Sequence, residues 1–202
     1  MAATHPVEQQ GTEWSLHVDF SSIPLTSEQF YRLCSDNPEL RMELTAEREL
    51  ILMSPTGAKT GYRNAELNYQ LVGWAKADGS GITFDSSTVF ALPTGAKRSP
   101  DASWIQRKRW DALSAEEQEK FAPLCPDFVA ELRSPSDHLA TLEAKMDEYI
   151  QNGARLGWLL DPIEKRLYVY RPGQKVEVLE NPTRVEGEDV LMGLVVDLRE
   201  IL

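Results

Sequence analysis

The segment FVAEL at residues 128–132 limits the possible folds more tightly than any other stretch of this chain. Side chains alternate along a strand, so Phe128, Ala130 and Leu132 share one face while Val129 and Glu131 share the other. Both faces are mostly apolar, which suits a strand in the middle of a sheet covered on each side. A layered α/β domain follows. Glu131 does not fit an apolar run, because a buried carboxylate needs a partner, a proton or a metal.

The rest of the chain supplies the layers. Residues 1–22 have no sustained period and read as an N-terminal arm, with a short strand around residues 14–20. Residues 23–202 read as a single domain. SEQFYRLCSD follows a capping Thr26 or Ser27 and reads as a short helix. ELRMELTAERELILMSP reads as two strands around a turn at residues 46–48, followed by TGAKTG as a loop. Ala65, Leu67, Leu71, Val72 and Trp74 mark an amphipathic helix over residues 62–77, ending at Asp78-Gly79. GITFDSSTVFAL, PDASWIQ and PDFVAELR read as strands, with WDALSAEEQEKF as a helix before the last. ATLEAKMDEYIQNG carries the clearest helical stripe, Leu139, Leu142, Met146, Tyr149 and Ile150, and stops at Asn152-Gly153. RLGWLLDPIEKRLYVYRPG reads as a hairpin turning at Asp161-Pro162. A last strand lies around residues 176–179, before the apolar segment LMGLVVDLREIL.

Several function classes drop out. No apolar run approaches the roughly 20 residues of a membrane-spanning helix, and MAATHPVEQQGTEW lacks the basic start and apolar stretch of a signal peptide. The expectation is a cytoplasmic protein without a membrane partner. Cys34 and Cys125 form no CxxC pair, and His5, His17 and His138 have no zinc-like spacing. Any metal is then held by oxygen, which suits Mg²⁺ or Mn²⁺. A formal net charge of −11 argues against a protein held to nucleic acid by bulk charge. It leaves room for a metal and a local basic patch. RKRW, with Arg107, Lys108 and Arg109, is the clearest such patch, and it equally fits a solvated turn before a helix.

Two strands begin with Pro-Asp, and Asp101 shares a face with Ser103 and Ile105. If those strands are neighbours, Asp101 and Glu131 converge on one divalent cation. Two carboxylates holding a hard cation form a common apparatus for hydrolysing a phosphodiester. Two basic residues are candidates to assist. Arg133 shares the face of Glu131 and suits phosphate, but it is a poor base. Lys145 lies at the rim of the apolar stripe on the following helix, placed either to reach inward or to stand in solvent. The structural alternatives are a strand-initiating Asp101, a salt-bridged Glu131, and Ser136 or Asp137 as caps for the helix beginning near His138.

SPDASWI, PDFVAELRSPSD, AKMDEYIQNGARLGWLLDP and ELILMSPTGAKTGYRNAEL, in this order and spacing, resemble the Uma family of restriction endonucleases. That family is a branch of the PD-(D/E)xK nuclease superfamily, and the resemblance covers roughly residues 26–202. It implies a restriction-endonuclease-like fold, a central mixed sheet flanked by helices, with an N-terminal hairpin region and often a homodimer. It also implies Asp101 as the motif aspartate and Glu131 as the motif acid. Arg133 stands where the superfamily commonly has lysine, and the lysine that has moved to the next helix maps to Lys145. Glu43 and Glu49 match acidic positions of the family's first hairpin. Glu49 is a candidate third metal acid, whereas Glu43, like Glu66, reads as surface charge.

The expectation is therefore a Mg²⁺- or Mn²⁺-dependent DNA endonuclease. Asp101 and Glu131 hold the metal, Lys145 positions or deprotonates the attacking water, and Arg133 and the RKRW cluster contact phosphate. A catalytically silent binding or assembly module is the alternative from another class, and a hydrolase of another phosphate ester shares the same chemistry.

Overall fold

The computed structural model describes residues 15–23 and 25–202. Most of the expected arm, residues 1–14, lies outside them. A six-stranded sheet forms the centre, in spatial order β11-β10-β9-β8-β7-β4. Its strands are β4 (Gly81–Asp85), β7 (Ala102–Gln106), β8 (Phe128–Leu132), β9 (Leu156–Asp161), β10 (Arg166–Tyr170) and β11 (Glu177–Glu180). Only β8 and β9 run parallel; the remaining pairs are antiparallel. That one parallel pair requires a crossover, which helix α5 (Leu139–Gln151) provides.

Both faces of this sheet are covered, as the composition of β8 requires. Helix α2 (Ala58–Asp78) lays Leu67, Leu71 and Ala75 against Phe128, Ala130, Trp158 and Leu160. On the opposite face α5 packs Met146 and Tyr149 with Val129, Ile105 and Leu159. Gly157 on β9 makes the second contact close. A Cβ there would lie 2.6 Å from Met146 Cε, so glycine at this position lets the tip of the Met146 side chain lie directly on β9. α2 stops at Gly79, whose φ of 76° is left-handed and whose N–H returns to Ala75 O.

A second sheet, order β1-β3-β2-β6-β5, is built from β1 (Ser15–Asp19), β2 (Arg41–Leu44), β3 (Glu49–Met53), β5 (Phe90–Ala91) and β6 (Lys97–Arg98). Met42, Leu44 and Leu50 form a small core there with Phe30 of α1 (Ser27–Asp36). Thr26 caps α1 in a reciprocal pair with Gln29. The short strands β12 (Arg184–Glu186) and β13 (Val195–Asp197) form a final ribbon, tied to α2 by a two-way bond between Gln70 and Asp197.

Four expectations need correction. The run 81–92 is two strands in different sheets, because Asp85 turns the chain by accepting from Ser87 N–H and Oγ. Residues 110–121 contain no long helix. RKRW is itself a helical turn, α3 (Arg107–Trp110), and Ser114 starts a separate α4 (Ala115–Glu119) with its own capping box. TGAKTG is only partly loop, since α2 begins at Ala58. Finally, His138, and neither Ser136 nor Asp137, occupies the N-cap of α5. The Asp137 carboxylate instead accepts from Ser134 N–H at 2.8 Å. Cys34 and Cys125 are both free thiols. Among the described residues no helix is long and apolar enough to cross a membrane.

Candidate active site

β7 and β8 are antiparallel neighbours with Ala102 opposite Ala130, so one step further along the register sets Asp101 opposite Glu131. Asp101 sits just ahead of β7, where three bonds pin it. Its Oδ2 accepts from Leu132 N–H at 2.8 Å, its Oδ1 from Asn64 Nδ2 at 3.0 Å, and its carbonyl from Asn68 Nδ2 at 3.0 Å. Both asparagines belong to α2, so one helix fixes the aspartate while the other, α5, approaches the glutamate.

Glu131 is buried, and its Oε1 takes two donors from α5: Tyr149 OH at 2.9 Å and Lys145 Nζ at 2.9 Å. Lys145 and Tyr149 are one helical turn apart, which is why both can reach a single oxygen. The lysine therefore reaches inward. Its Nζ also lies 2.9 Å from Glu43 Oε1, on β2 of the second sheet. Glu43 in turn accepts from Ser99 N–H at 2.8 Å and from Arg98 Nη1 at 3.1 Å, and Arg98 Nε pairs with Glu148 of α5.

Burial and charge set the ionisation of this cluster. Burial pushes the Glu131 carboxyl up to about 8; Lys145 opposes the shift, while Asp101 and Glu43 add to it. Burial likewise raises Asp101, partly countered by the Leu132 N–H bond. Burial acts on Glu43 too, but Lys145 and Arg98 outweigh it and hold this carboxyl below its ordinary value. For Lys145, the attraction of Glu131 and Glu43 outweighs burial and holds the ammonium charged above its usual range. Four carboxylates, Glu43, Asp101, Glu131 and Glu148, thus face two cations, Arg98 and Lys145. Fully ionised, the cluster carries two uncompensated negative charges, a deficit that one divalent cation would close.

The donor set fits such an ion. Among the described residues no three His, Cys, Asp or Glu side chains form a metal cage. Mg²⁺ is usually held by one or two carboxylates with water and substrate phosphate, and Asp101 and Glu131 offer that many.

The structure does not bring the other expected residues to this point. Arg133 is committed to the buried Asp161 carboxylate at 2.7 Å and to Asp137 O at 3.3 Å, because Asp161 needs a counter-charge at the end of β9. Glu49 pairs with His17 of β1 at 3.2 Å and is half exposed, on the same face of the second sheet as Glu43 but towards the β1 edge. Glu66 engages Gln70 within α2. RKRW begins at the opposite end of β7 from Asp101, roughly 20 Å away at about 3.3 Å per residue. Arg109 is fixed there by Asp127 at 3.0 Å and by Cys125 O. Arg107 and Lys108 line an open surface hollow with Ser80 and Asp111.

Sequence reading missed Glu43, which it took for surface charge, as well as Arg98, Tyr149 and Asn64. Glu43 alternates with Met42 and Leu44, a pattern that reads as a half-exposed strand; the α5 side chains that cover its polar face are 102 residues away in sequence. Tyr149 was visible only as part of the apolar stripe.

Residues 27–199 match the family described as "Putative restriction endonuclease" (Uma2). The chain belongs to this family. Its fold is also that of a crystal structure from Anabaena variabilis ATCC 29413, described as a "putative nuclease belonging to DUF820". The two superpose with a TM-score of 0.73 over 88% of this chain and 97% of the other, at 20% sequence identity. At that identity the likeness speaks for the fold alone. Comparison with curated proteins gives no match. The restriction-endonuclease-like architecture expected from the sequence is thus the architecture of this Uma2-family chain.

Proposed function

We propose that this Uma2-family chain is a Mg²⁺- or Mn²⁺-dependent endonuclease that hydrolyses DNA phosphodiesters at the Asp101–Glu131 end of the central sheet. The observation that supports the reading is the register of β7 and β8, which sets these two carboxylates opposite each other in a cluster that, fully ionised, is two positive charges short of neutral. A divalent ion held by Asp101 and Glu131 would supply charge neutralisation at the phosphate and lower the pKa of water. Asn64 and the Leu132 N–H orient Asp101, and Tyr149 orients Glu131. Lys145, kept as an ammonium by its two glutamates, acts as a hydrogen-bond donor and positive charge beside the phosphate; a general-base role does not suit a lysine whose proton is held this firmly. Homodimerisation and a cytoplasmic location belong to the same proposal.

A second reading, a silent binding module, draws on the same lysine, because Lys145 already gives Glu131 a counter-charge without any metal. Cleavage of plasmid and linear DNA with Mg²⁺ or Mn²⁺ separates the two. Activity lost in Asp101→Ala, Glu131→Gln and Lys145→Ala supports the nuclease, and metal-dependent activity surviving in all three would overturn this site.

A further inference from the structure

The cluster contains a closed circuit that the proposed chemistry does not by itself require. From Lys145 on α5, it runs to Glu43 on β2, to Arg98 on β6, to Glu148, and so back to α5 one turn from its start. Two neighbouring strands of the second sheet and the crossover helix of the central sheet are bound into one ring of alternating charge. Every member is largely buried; the side-chain exposures are 12% for Lys145, 3% for Glu43, 10% for Arg98 and 15% for Glu148.

Lys145 is shared unequally, although both of its contacts measure 2.9 Å. Glu43 is anchored on both oxygens, Oε1 by the Ser99 N–H and Oε2 by Arg98. Among the described residues Glu131 has only Tyr149 OH besides the lysine, and that bond falls on the same oxygen, Oε1. One carboxylate is therefore fixed, and the other depends on the lysine for its counter-charge. A cation arriving at Glu131 competes with Lys145 for that carboxylate. The cost of displacing a buried ammonium is large unless a second partner keeps it.

We propose that Glu43 is a positioning residue that retains Lys145, so that a divalent cation can take over its contact with Glu131 while the lysine stays in the site. The inference rests on the metal site proposed above. Arg98 and Ser99 hold Glu43 in place for this task, and the N-terminal sheet thereby completes a site whose acids sit on the central sheet. In the cation-free chain Lys145 stands in for the ion; in the loaded chain it is held by Glu43 alone.

Glu43→Asp keeps the charge but draws the carboxylate back by one methylene, so a purely electrostatic role would leave cation affinity unchanged. Calorimetric titration with Mn²⁺ is run on the full chain as wild type, Glu43→Asp, Lys145→Met and the double variant, with folding checked by thermal melting. The expected result is a several-fold weaker Mn²⁺ affinity for Glu43→Asp when Lys145 is present, and less than about a two-fold change when position 145 is methionine, the signature of two residues acting through one another. Arg98→Lys, which loosens the same carboxylate from its other side, gives the same pattern. Equal losses in both lysine backgrounds, or none in either, would overturn the retaining role while leaving the metal site standing. Absence of saturable Mn²⁺ binding in the wild type would overturn both.

Discussion

The central sheet and its flanks hold two kinds of carboxylate, and the contrast between them separates architecture from chemistry. Asp127 and Asp161 each have one arginine, Arg109 and Arg133 respectively, together with backbone N–H donors. Each is a closed account, neutral within itself, and it fixes a turn or a strand end. Glu131, Asp101 and Glu43 share Lys145 and Arg98 with Glu148, and when all are ionised they are short of positive charge. Burial without full compensation is costly to maintain, which is why such arrangements concentrate at sites that bind or react.

The widest separation is expected in cleavage. Asp101→Ala, Glu131→Gln and Lys145→Ala should each lower the rate of plasmid cleavage by about 10²-fold or more. Asp161→Asn should leave the rate of the folded fraction within a few-fold of wild type. Comparable losses at both kinds of carboxylate would erase the distinction.

Stability should divide the two groups the other way. Asp161→Asn strands the guanidinium of a pair whose carboxylate is fully buried, and breaking such a pair costs about 3 kcal/mol, or roughly 10 °C in Tm for a chain of this size. Thermal melting in the presence of a chelator measures it.

pH gives a smaller and oppositely signed effect at Glu131. The folded chain keeps the Glu131 proton up to about pH 8, whereas the unfolded chain releases it near its ordinary value of 4.5. Its contribution to stability is therefore fully present below that lower value and is lost as pH rises towards 8. Glu43, held below its ordinary value, contributes in the reverse direction, losing its share as pH falls. In chelator, wild type should lose more Tm between pH 5 and pH 8 than Glu131→Gln, by on the order of 5 °C, equivalent to about 2 kcal/mol. Parallel curves for the two proteins would contradict an uncompensated Glu131.

The smallest change belongs to the exposed basic turn. Arg107→Ala and Lys108→Ala should leave kcat unaltered and shift KM for DNA by no more than about two-fold, as expected for residues that reach only an outlying phosphate. A larger loss, detected in steady-state cleavage at low salt, would draw the DNA path across α3.

Much of this was legible in the residues. Phe128–Leu132 announced a doubly covered strand, and the two Pro-Asp starts pointed to Asp101 beside Glu131, which the antiparallel register of β7 and β8 realises. Lys145 was recoverable because its place at the rim of the α5 stripe left the inward direction open. Arg133 was misjudged for a physical reason: sharing a strand face with Glu131 says nothing about Asp161, 28 residues later, which claims the guanidinium. Glu43 was hidden by the same limit. Alternation reveals which side of a strand is polar, but it does not reveal what tertiary packing lays over that side. The RKRW patch stood out by composition, yet the length of β7 carries it to the other end of the sheet.

A crystal soaked in Mn²⁺ and measured for anomalous scattering gives the decisive view. The expected map has one ion bonded to carboxylate oxygens of both Asp101 and Glu131, with Lys145 Nζ withdrawn from Glu131 and still on Glu43. A map with no ion between those carboxylates, and Lys145 still bridging Glu43 and Glu131, would contradict the proposed site.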